Sequence, residues 1–330
     1  MAFSGRRTGG VALAVVAALG LGGCVGAAPP LAAAPGAVLA GPPKPCGTVR
    51  IAVNPWVGYD ADVAVVAYLA KHELGCTVVT KAEDEKTSWQ DLAKGNLDVI
   101  LENWGHDAEK KTYIDEKKLV VEGGLTGNQG VIGWYVPPWM VKKYPDLTSW
   151  TALKKYDYLF HSAASGKQGQ LLDGDPTYVT NDAALVKNLG LNFKVVYAGS
   201  EAALIAAFQQ AEAKKTPLLG YFYSPQWLLA DIKLVHIDLP PYTPGCDADP
   251  KTVKCDYQPY DLDKVMSKKF AESGSPAVDL VTNFRWTNDD QNQVAGDLNA
   301  KMSSDEAAKR WLDAHPDVWH AWLPAGRQPA

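Results

Sequence analysis

The sequence predicts an α/β protein with two lobes, on three observations. About 285 residues follow residue 45, which is long for one domain and sufficient for two. Short β-rich segments alternate with helix-patterned segments through this part of the chain, as in parallel sheets covered by helices. A second block of strands begins at residue 131.

The first block has the order β-α-β-α-β, which predicts a parallel sheet because such units are joined by helical crossovers. Its predicted elements are a strand at 48–53 (TVRIAV), a helix at 60–74 with Asp60 at its start, the strand CTVVTK, a helix at 86–95 and a strand at 97–102 (LDVILE).

The second block begins with the strand VIGWYV at 131–136. Its later predicted strands are YLFHS, FKVVYAG and PLLGYFY, with helices near 181–189 and 200–213. From residue 261 the chain is predicted to be mostly helical and to pack back on the first lobe. We therefore expect one lobe from 46–130 plus 240–330 and the other from 131–239.

The N-terminus predicts export and lipid anchoring. Arg6 and Arg7 precede an uncharged apolar run at 11–23, which is typical of a signal peptide over residues 1–23 and too short to span a membrane. The segment LGGC ending at Cys24 resembles the bacterial lipobox, which implies a lipid on that thiol. The alternative is an ordinary signal peptide in which this cysteine has no role.

Residues 24–45 extend the N-terminal prediction. After Cys24 they are mostly Ala, Gly, Pro, Val and Leu without periodicity, so they predict a flexible tether. The folded body is then expected at the outer face of the cell membrane. No later apolar run reaches membrane-spanning length.

Four further cysteines, an even number, suggest disulfides in an exported protein. Sequence alone allows three pairings. We favour Cys46–Cys76, because each precedes a predicted strand of one parallel sheet, and Cys246–Cys255, which closes a short polar loop. A zinc site is the rival, but no CxxC or matching histidine spacing is present, so no metal or cofactor is expected.

Composition and motifs narrow the function. The formal net charge of −5 gives no reason to expect a nucleic-acid partner. The sequence contains no HExxH, GxSxG, Walker A or GxGxxG motif. An enzyme therefore remains the weaker hypothesis, and a binding protein is favoured.

Aromatic residues follow the ends of the predicted strands, where open parallel sheets bind ligands. The four segments are NPWVGYD at 54–60, ENWGH at 102–106, DGDPTY at 173–178 and YSPQW at 223–227. Electron-rich ring faces attract cations, and a quaternary ammonium group has no N–H to donate to a carboxylate. Rings from both lobes could therefore enclose such a group, although most of the 11 tryptophans and 14 tyrosines are expected to be structural.

The chain resembles the OpuAC-like substrate-binding proteins of ABC transporters for glycine betaine, choline and related compounds. The resemblance covers nearly all of residues 46–323. It rests on IAVNPW, SWQDLAKGNLDVILENWG, GYFYSPQW and AAKRWLDAHPDVWHAWL. It implies a type II periplasmic-binding-protein-like fold with the ligand cleft between the lobes, and a permease and ATPase as partners.

The resemblance also implies ligand-binding residues. Trp104 matches the cage tryptophan after the third strand, Tyr223 the aromatic before the later Pro, and Tyr178 the aromatic of the second-lobe loop. Trp56 or Tyr59 matches an aromatic that some members add after the first strand.

Two polar residues of the first loop are further candidates. Asn54 follows the first strand, and Asp60 either caps the next helix or attracts the cation. A third hypothesis is a binding protein for another osmolyte or an amino acid. Amino-acid binders usually pair the zwitterion with an Arg, and these loops have almost none.

Overall fold

The computed structural model describes residues 45–178 and 180–327. The predicted signal peptide 1–23, Cys24 and the tether up to residue 44 lie outside the described residues. Within the described ranges, no helix is both long and apolar enough to cross a lipid bilayer.

Nine strands form a mixed sheet with the order β2-β1-β3-β9-β4-β7-β5-β6, and β8 pairs with β4 beside this path. The strands are β1 (Thr48–Val53), β2 (Thr77–Ala82), β3 (Val99–Asn103), β4 (Val120–Val136), β5 (Gly169–Asp173), β6 (Phe193–Tyr197), β7 (Leu219–Ser224), β8 (Val235–Ile237) and β9 (Tyr260–Ser267).

Helices surround the strands in the described part of the chain. They are α1 (Val57–His72), α2 (Glu85–Lys94), α3 (Asp107–Lys110), α4 (Pro138–Lys143), α5 (Trp150–Tyr156), α6 (Asp182–Asn188), α7 (Glu201–Lys214), α8 (Leu228–Asp231), α9 (Lys268–Ala271), α10 (Pro276–Asn283), α11 (Asn288–Asn299), α12 (Ser304–Ala314) and α13 (Pro316–Trp319). A π-helical turn spans Lys111–Glu116, and 3-10 helices span Asp157–Phe160 and His320–Trp322.

The first part of the sheet confirms the predicted β-α-β-α-β unit. Strand β1 lies parallel between β2 and β3, so the loops that follow β1 and β3 leave the same edge of the sheet. Strand β9 then adds antiparallel to β3. Strand β3 is buried throughout, and β1 buries Val49, Ile51 and Ala52, because helices cover this part of the sheet.

Strand β4 joins the two halves of the sheet. Its residues from Val120 to Gly130 pair with β9, whereas those from Val131 to Tyr135 pair with β7. Strand β7 is parallel to β5, which is parallel to β6. One strand therefore belongs to both halves, and its partner changes between residues 130 and 131.

The C-terminal helices pack against the first half, as the sequence predicted. Helices α11 and α12 both contact α1, which buries most of its length. Each of the two begins with a capping box, formed by Thr287 with Asp290 and by Ser303 with Glu306. These reciprocal bonds satisfy backbone donors and define where each helix starts.

Three expectations about local structure were wrong. The segment YLFHS is a 3-10 helix at Asp157–Phe160, because it follows α5 without a break. Residues 261–267 belong to strand β9 rather than to a helix, because they pair with β3 on one side and β4 on the other. Helix α1 starts at Val57, so Asp60 lies in its first turn and does not cap it.

Both favoured cysteine pairs are disulfides. Cys46–Cys76 joins the starts of β1 and β2, with a Cα–Cα distance of 4.9 Å. Cys246–Cys255 closes the loop before β9, with a Cα–Cα distance of 6.2 Å. The parallel pairing of β1 with β2 brings the first two cysteines together. Cys46, Cys76, Cys246 and Cys255 are therefore all paired in disulfides.

Candidate functional site

An apolar cavity lies where the loops after β1 and β3 meet the end of β7. The space it leaves free of protein atoms, counted together with its opening to solvent, is about 390 Å³. Its lining residues are Trp56, Glu85, Trp104, Ile132, Tyr178, Tyr221, Tyr223 and Tyr260.

The two tryptophans are held by one carboxylate. Oε1 of Glu102 accepts hydrogen bonds from Nε1 of Trp56 at 2.9 Å and from Nε1 of Trp104 at 2.7 Å. Oε2 accepts another from the side-chain amide of Gln291 on α11. Glu102 is the penultimate residue of β3 and is buried. By accepting both indole N–H groups it fixes both rings.

Strand β7 supplies two tyrosines to the same face. Tyr221 and Tyr223 are two residues apart and therefore point to one side of the sheet, with ring centroids 6.0 Å apart. The hydroxyl of Tyr223 donates to Glu201 at the start of α7. Glu201 also accepts from Gln226 at 2.9 Å. The polar edge of Tyr223 is thus used outside the cavity, which leaves its ring for the cavity.

Tyr178 connects the loop after β5 to the loop after β1. Its hydroxyl donates to the carbonyl of Pro55 at 2.9 Å, and its ring lies 6.1 Å from that of Trp56 and 6.4 Å from that of Tyr223. The backbone N–H of Val57 donates to Glu201 at 2.8 Å. Two hydrogen bonds therefore join the first-strand loop to elements of the second half.

Trp104 packs between two other rings. Its centroid lies 5.8 Å from Tyr223 and 5.8 Å from Tyr260, with edge-to-face geometry at both contacts. A Cβ at Gly130 would come within 2.5 Å of this indole. Only glycine on β4 therefore leaves room for the ring.

Glu85 is the charged residue of the cavity wall. It is the first residue of α2, and its side chain is 11% exposed. Burial first, and then the nearby charges of Glu102 and Asp84, raise the pKa of this carboxyl to about 8. His106 Nε2 lies 3.6 Å from Glu85 Oε1, but burial lowers the pKa of this histidine, so it offers little positive charge.

Three predicted candidates do not line this cavity. Tyr59 is buried behind Trp56, at 5.3 Å between ring centroids, and its hydroxyl accepts the backbone N–H of Leu101 at 2.9 Å. Asn54 is buried and donates at 2.8 Å to the carbonyl of Glu83 and at 2.8 Å to the hydroxyl of Ser88. Tyr59 and Asn54 therefore lie behind the loop that follows β1 rather than in the cavity wall. For Tyr59 the reason is that helix α1 starts earlier than expected, at Val57.

A second, open groove shares Trp56 with the cavity. Its acidic lining residues are Asp60, Glu83, Asp84, Asp175 and Glu201. Of these, Glu83 forms an ion pair with Lys81, with 2.7 Å between Oε2 and Nζ. Although Asp60 reaches solvent, surrounding protein atoms and Glu201 raise its pKa to about 6. The candidate Asp60 thus lies in the groove rather than at the aromatic cavity.

Sequence reasoning missed four lining residues. Tyr221 had a signal, because it precedes the candidate Tyr223 by two residues in a predicted strand. Tyr260 had none, since its segment was expected to precede helices. Glu85 and Ile132 come from a helix start and a strand interior, and only the tertiary arrangement brings them to the cavity.

The geometry defines the class of protein. Two halves of a mixed sheet, linked by β4 and facing a cavity of aromatic rings, are the architecture of a two-lobed substrate-binding protein. Residues 47–314 match the family described as the substrate binding domain of the ABC-type glycine betaine transport system. The chain belongs to this family, whose members are extracytoplasmic substrate-binding proteins of ABC transporters and not enzymes.

Two curated relatives support this assignment. The trimethylamine N-oxide-binding protein of Pelagibacter ubique (strain HTCC1062) is 28% identical over 246 residues, which cover 72% of this chain and 78% of that protein. The glycine betaine/carnitine transport binding protein GbuC of Listeria monocytogenes serotype 1/2a (strain 10403S) is 27% identical over 123 residues, 37% of each chain.

Solved structures share the fold. Lactococcal OpuAC, in its closed-liganded conformation with glycine betaine, superposes with a TM-score of 0.65 and 22% identity and covers 84% of this chain and 100% of its own. An ABC-transporter choline-binding protein in complex with choline gives a TM-score of 0.67 and 18% identity, covering 85% of this chain and 93% of that one. Both comparisons confirm the predicted two-lobed α/β fold.

Proposed function

We propose that this protein captures a small quaternary ammonium compound in the aromatic cavity and delivers it to a membrane permease with its ATPase. The observation that carries the proposal is the enclosure of one cavity by six aromatic rings. These rings belong to Trp56, Trp104, Tyr178, Tyr221, Tyr223 and Tyr260.

The energetics of the cavity suit such a ligand. A ring face stabilises a cation by ~0.5–2 kcal/mol, and desolvation strengthens the contact. Four contacts therefore supply ~2–8 kcal/mol, and micromolar affinity corresponds to about −8 kcal/mol. The indole N–H groups are bonded to Glu102, so the rings are held in place before the ligand arrives and lose little freedom on binding.

Each predicted cage residue has a role in this proposal. Trp56, Trp104, Tyr178 and Tyr223 contact the ammonium group with their rings. Tyr59 supports Trp56 from behind and does not touch the ligand.

The polar candidates of the first loop act at a distance. Asn54 holds the loop through its bonds to Glu83 and Ser88. Asp60 attracts the cation from the neighbouring groove. Neither residue is a direct ligand contact in this proposal.

Ligand binding closes the two lobes by a hinge, as in periplasmic binding proteins. We keep the expected boundaries of 46–130 plus 240–330 for one lobe and 131–239 for the other. The change of partner along β4 between residues 130 and 131 is consistent with them. The hydrogen bonds of Tyr178 and Glu201 to the first-strand loop favour the closed arrangement.

Lipid anchoring is part of the proposal. A lipid on Cys24, after removal of residues 1–23, would hold the protein at the outer face of the cell membrane, beside its permease. Metabolic labelling with a palmitate analogue tests this: the wild-type protein should be labelled, and Cys24→Ser should not. Labelling that survives the substitution contradicts the anchor.

The cavity is tested by titration calorimetry with choline and glycine betaine. The wild-type protein should bind at least one of them. Trp104→Ala removes a ring with two aromatic contacts and should weaken binding at least tenfold, a loss of about 1.4 kcal/mol or more.

The matched control is Trp150→Ala. Trp150 starts α5, packs at the margin of the core with the Lys154 amine 5.1 Å from its ring, and does not line the cavity, so its loss should leave affinity unchanged. Circular dichroism checks that both variants fold. Equal affinities of the folded Trp104→Ala variant and the wild type would contradict the proposal, as would absence of binding by the wild type.

A further inference from the structure

We infer that the cavity takes a quaternary ammonium cation that carries no carboxylate, and that Glu85 is the residue that selects it. This inference rests on the proposed function and names the ligand class more narrowly. It follows from the position of Glu85, from its surroundings and from the charges around the cavity.

Glu85 is placed in the cavity wall because it is the first residue of α2. The preceding residue, Asp84, caps this helix by accepting the backbone N–H of Thr87 at 2.9 Å. Because Asp84 caps the helix, Glu85 is free to line the cavity. Its distance of 3.6 Å to His106 Nε2 is too long for a strong hydrogen bond.

Within residues 45–178 and 180–327, no neighbouring cation is among the groups that act on this carboxylate. The acidic groups that act on it are Glu102 on β3, Asp84 beside it and Glu109 on α3. Burial keeps the pKa of His106 low. Among the described residues, no lysine or arginine lines the cavity. A bound cation would supply the missing partner.

The same charges disfavour a betaine. The carboxylate of a betaine would enter a cavity with Glu85 in its wall and no basic side chain to receive it. The adjoining groove repeats this pattern, with Asp60, Asp175 and Glu201 among its acidic lining residues. A like charge placed near such groups is repelled, and the repulsion grows in a dry site.

The titration of Glu85 makes the inference measurable. With a pKa of about 8, this carboxyl is mostly protonated at pH 7 and mostly ionised at pH 9 in the free protein. A permanent cation favours the ionised form, so its affinity should rise about tenfold from pH 7 to pH 9. An amine oxide would instead accept a hydrogen bond from the protonated form and lose affinity over the same range.

The tyrosines of the cavity wall titrate above this window, and Asp60 and His106 below it. Burial raises the pKa of Tyr178, Tyr221 and Tyr223 above the usual value of 10.0. The pKa of Asp60 is about 6, and that of His106 lies below its usual value of 6.5. Burial also raises the pKa of Glu201, which accepts from Tyr223, and of Asp182, whose charge acts on Tyr221, so Glu85→Gln is the variant that assigns the pH dependence.

The experiment is titration calorimetry at pH 7 and pH 9 with choline, tetramethylammonium, glycine betaine and trimethylamine N-oxide. We expect choline and tetramethylammonium to bind more tightly at pH 9 than at pH 7. At pH 9, glycine betaine should bind at least tenfold more weakly than choline.

Glu85→Gln should abolish the pH dependence and weaken choline binding at pH 9 at least tenfold. The matched control is Glu116→Gln, at an exposed position of the π-helical turn, which should behave as wild type. Melting curves of the ligand-free variants verify folding. A wild-type preference for glycine betaine, affinity that falls with pH, or unchanged choline binding in Glu85→Gln would overturn the inference and leave the aromatic cavity standing. If none of the four compounds binds, the proposed function fails as well.

Discussion

Replacing Glu102 with glutamine should loosen the cavity without changing the shape of the residue. Glu102 accepts three hydrogen bonds from N–H donors, at Trp56, Trp104 and Gln291, and is buried. A hydrogen bond to a charged group contributes ~1.5–3 kcal/mol, whereas a neutral one contributes ~0.5–1.5 kcal/mol. The change therefore removes about 1 kcal/mol from each of the two indole bonds.

The third bond is spared by a local rearrangement. Oε1 of Gln291 has no hydrogen-bond partner, so this amide can rotate and accept from the new amide at position 102. The expected cost is therefore about 2 kcal/mol of unfolding free energy, which lowers Tm by about 4 °C for a chain of this size. Choline affinity should fall about fivefold, or about 1 kcal/mol, because two cage rings lose their anchor.

Scanning calorimetry measures the first effect and titration calorimetry the second. Glu122→Gln is the matched control, because Glu122 is exposed on β4. In a Trp104→Phe background, the effect of Glu102→Gln should shrink by about half, since one of the two indole bonds is already absent. If Glu102→Gln keeps the Tm and affinity of the control variant, the carboxylate does not hold the rings and the reasoning fails.

Three further predictions follow from the same structure. Replacing both cysteines of Cys46–Cys76, which closes 30 residues, with serine should lower the free energy of unfolding by about 3.5 kcal/mol, and the same change in Cys246–Cys255, which closes 9, by about 2.5 kcal/mol. Denaturant unfolding of both variants checks this order. A larger loss for the short loop would contradict it. Tyr178→Phe removes the hydroxyl that donates to the Pro55 carbonyl and should raise the Kd for choline about twofold to tenfold. Stopped-flow fluorescence should show that the rate of ligand release increases. An unchanged Kd would show that this hydrogen bond does not favour the closed state. The ligand-free wild-type protein should lose stability relative to Glu85→Gln as pH rises from 4.5 to about 8. The reason is that the Glu85 carboxyl ionises at lower pH in the unfolded chain than in the folded protein. If the Tm values of the two proteins run parallel across this range, the raised pKa of Glu85 is refuted.

The sequence predicted the fold class and much of the cavity, since both depend on local signals. The alternation of strands and helices gave the parallel unit, and the rule that ligands bind beyond strand ends pointed to four aromatic segments. Within them, the family resemblance implied Trp104 and Tyr223. Both line the cavity. The resemblance also implied Tyr178, the aromatic of the second-lobe loop, and this residue lines the cavity as well.

The missed residues depend on distant pairing. Tyr260 starts β9, whose place between β3 and β4 is set by chain segments more than 120 residues away. No local pattern predicts that pairing, and the segment was expected to be helical. Glu85 likewise starts a helix, where acidic residues are common because they favour the helix dipole.

Strand β9 also determines the order in which the two halves of the sheet can fold as the chain emerges with its N-terminus first. The second-half strands β5, β6 and β7 pair with each other and with the end of β4, and all are complete by residue 224. The first half of the sheet begins earlier in the chain but is completed later, because β9 (Tyr260–Ser267) lies between β3 and β4 and pairs with both. Helices α11 and α12, which cover α1, emerge later still. The N-terminal half of the sheet is therefore the last to close, and until then its strand edges are exposed to aggregation and to chaperones.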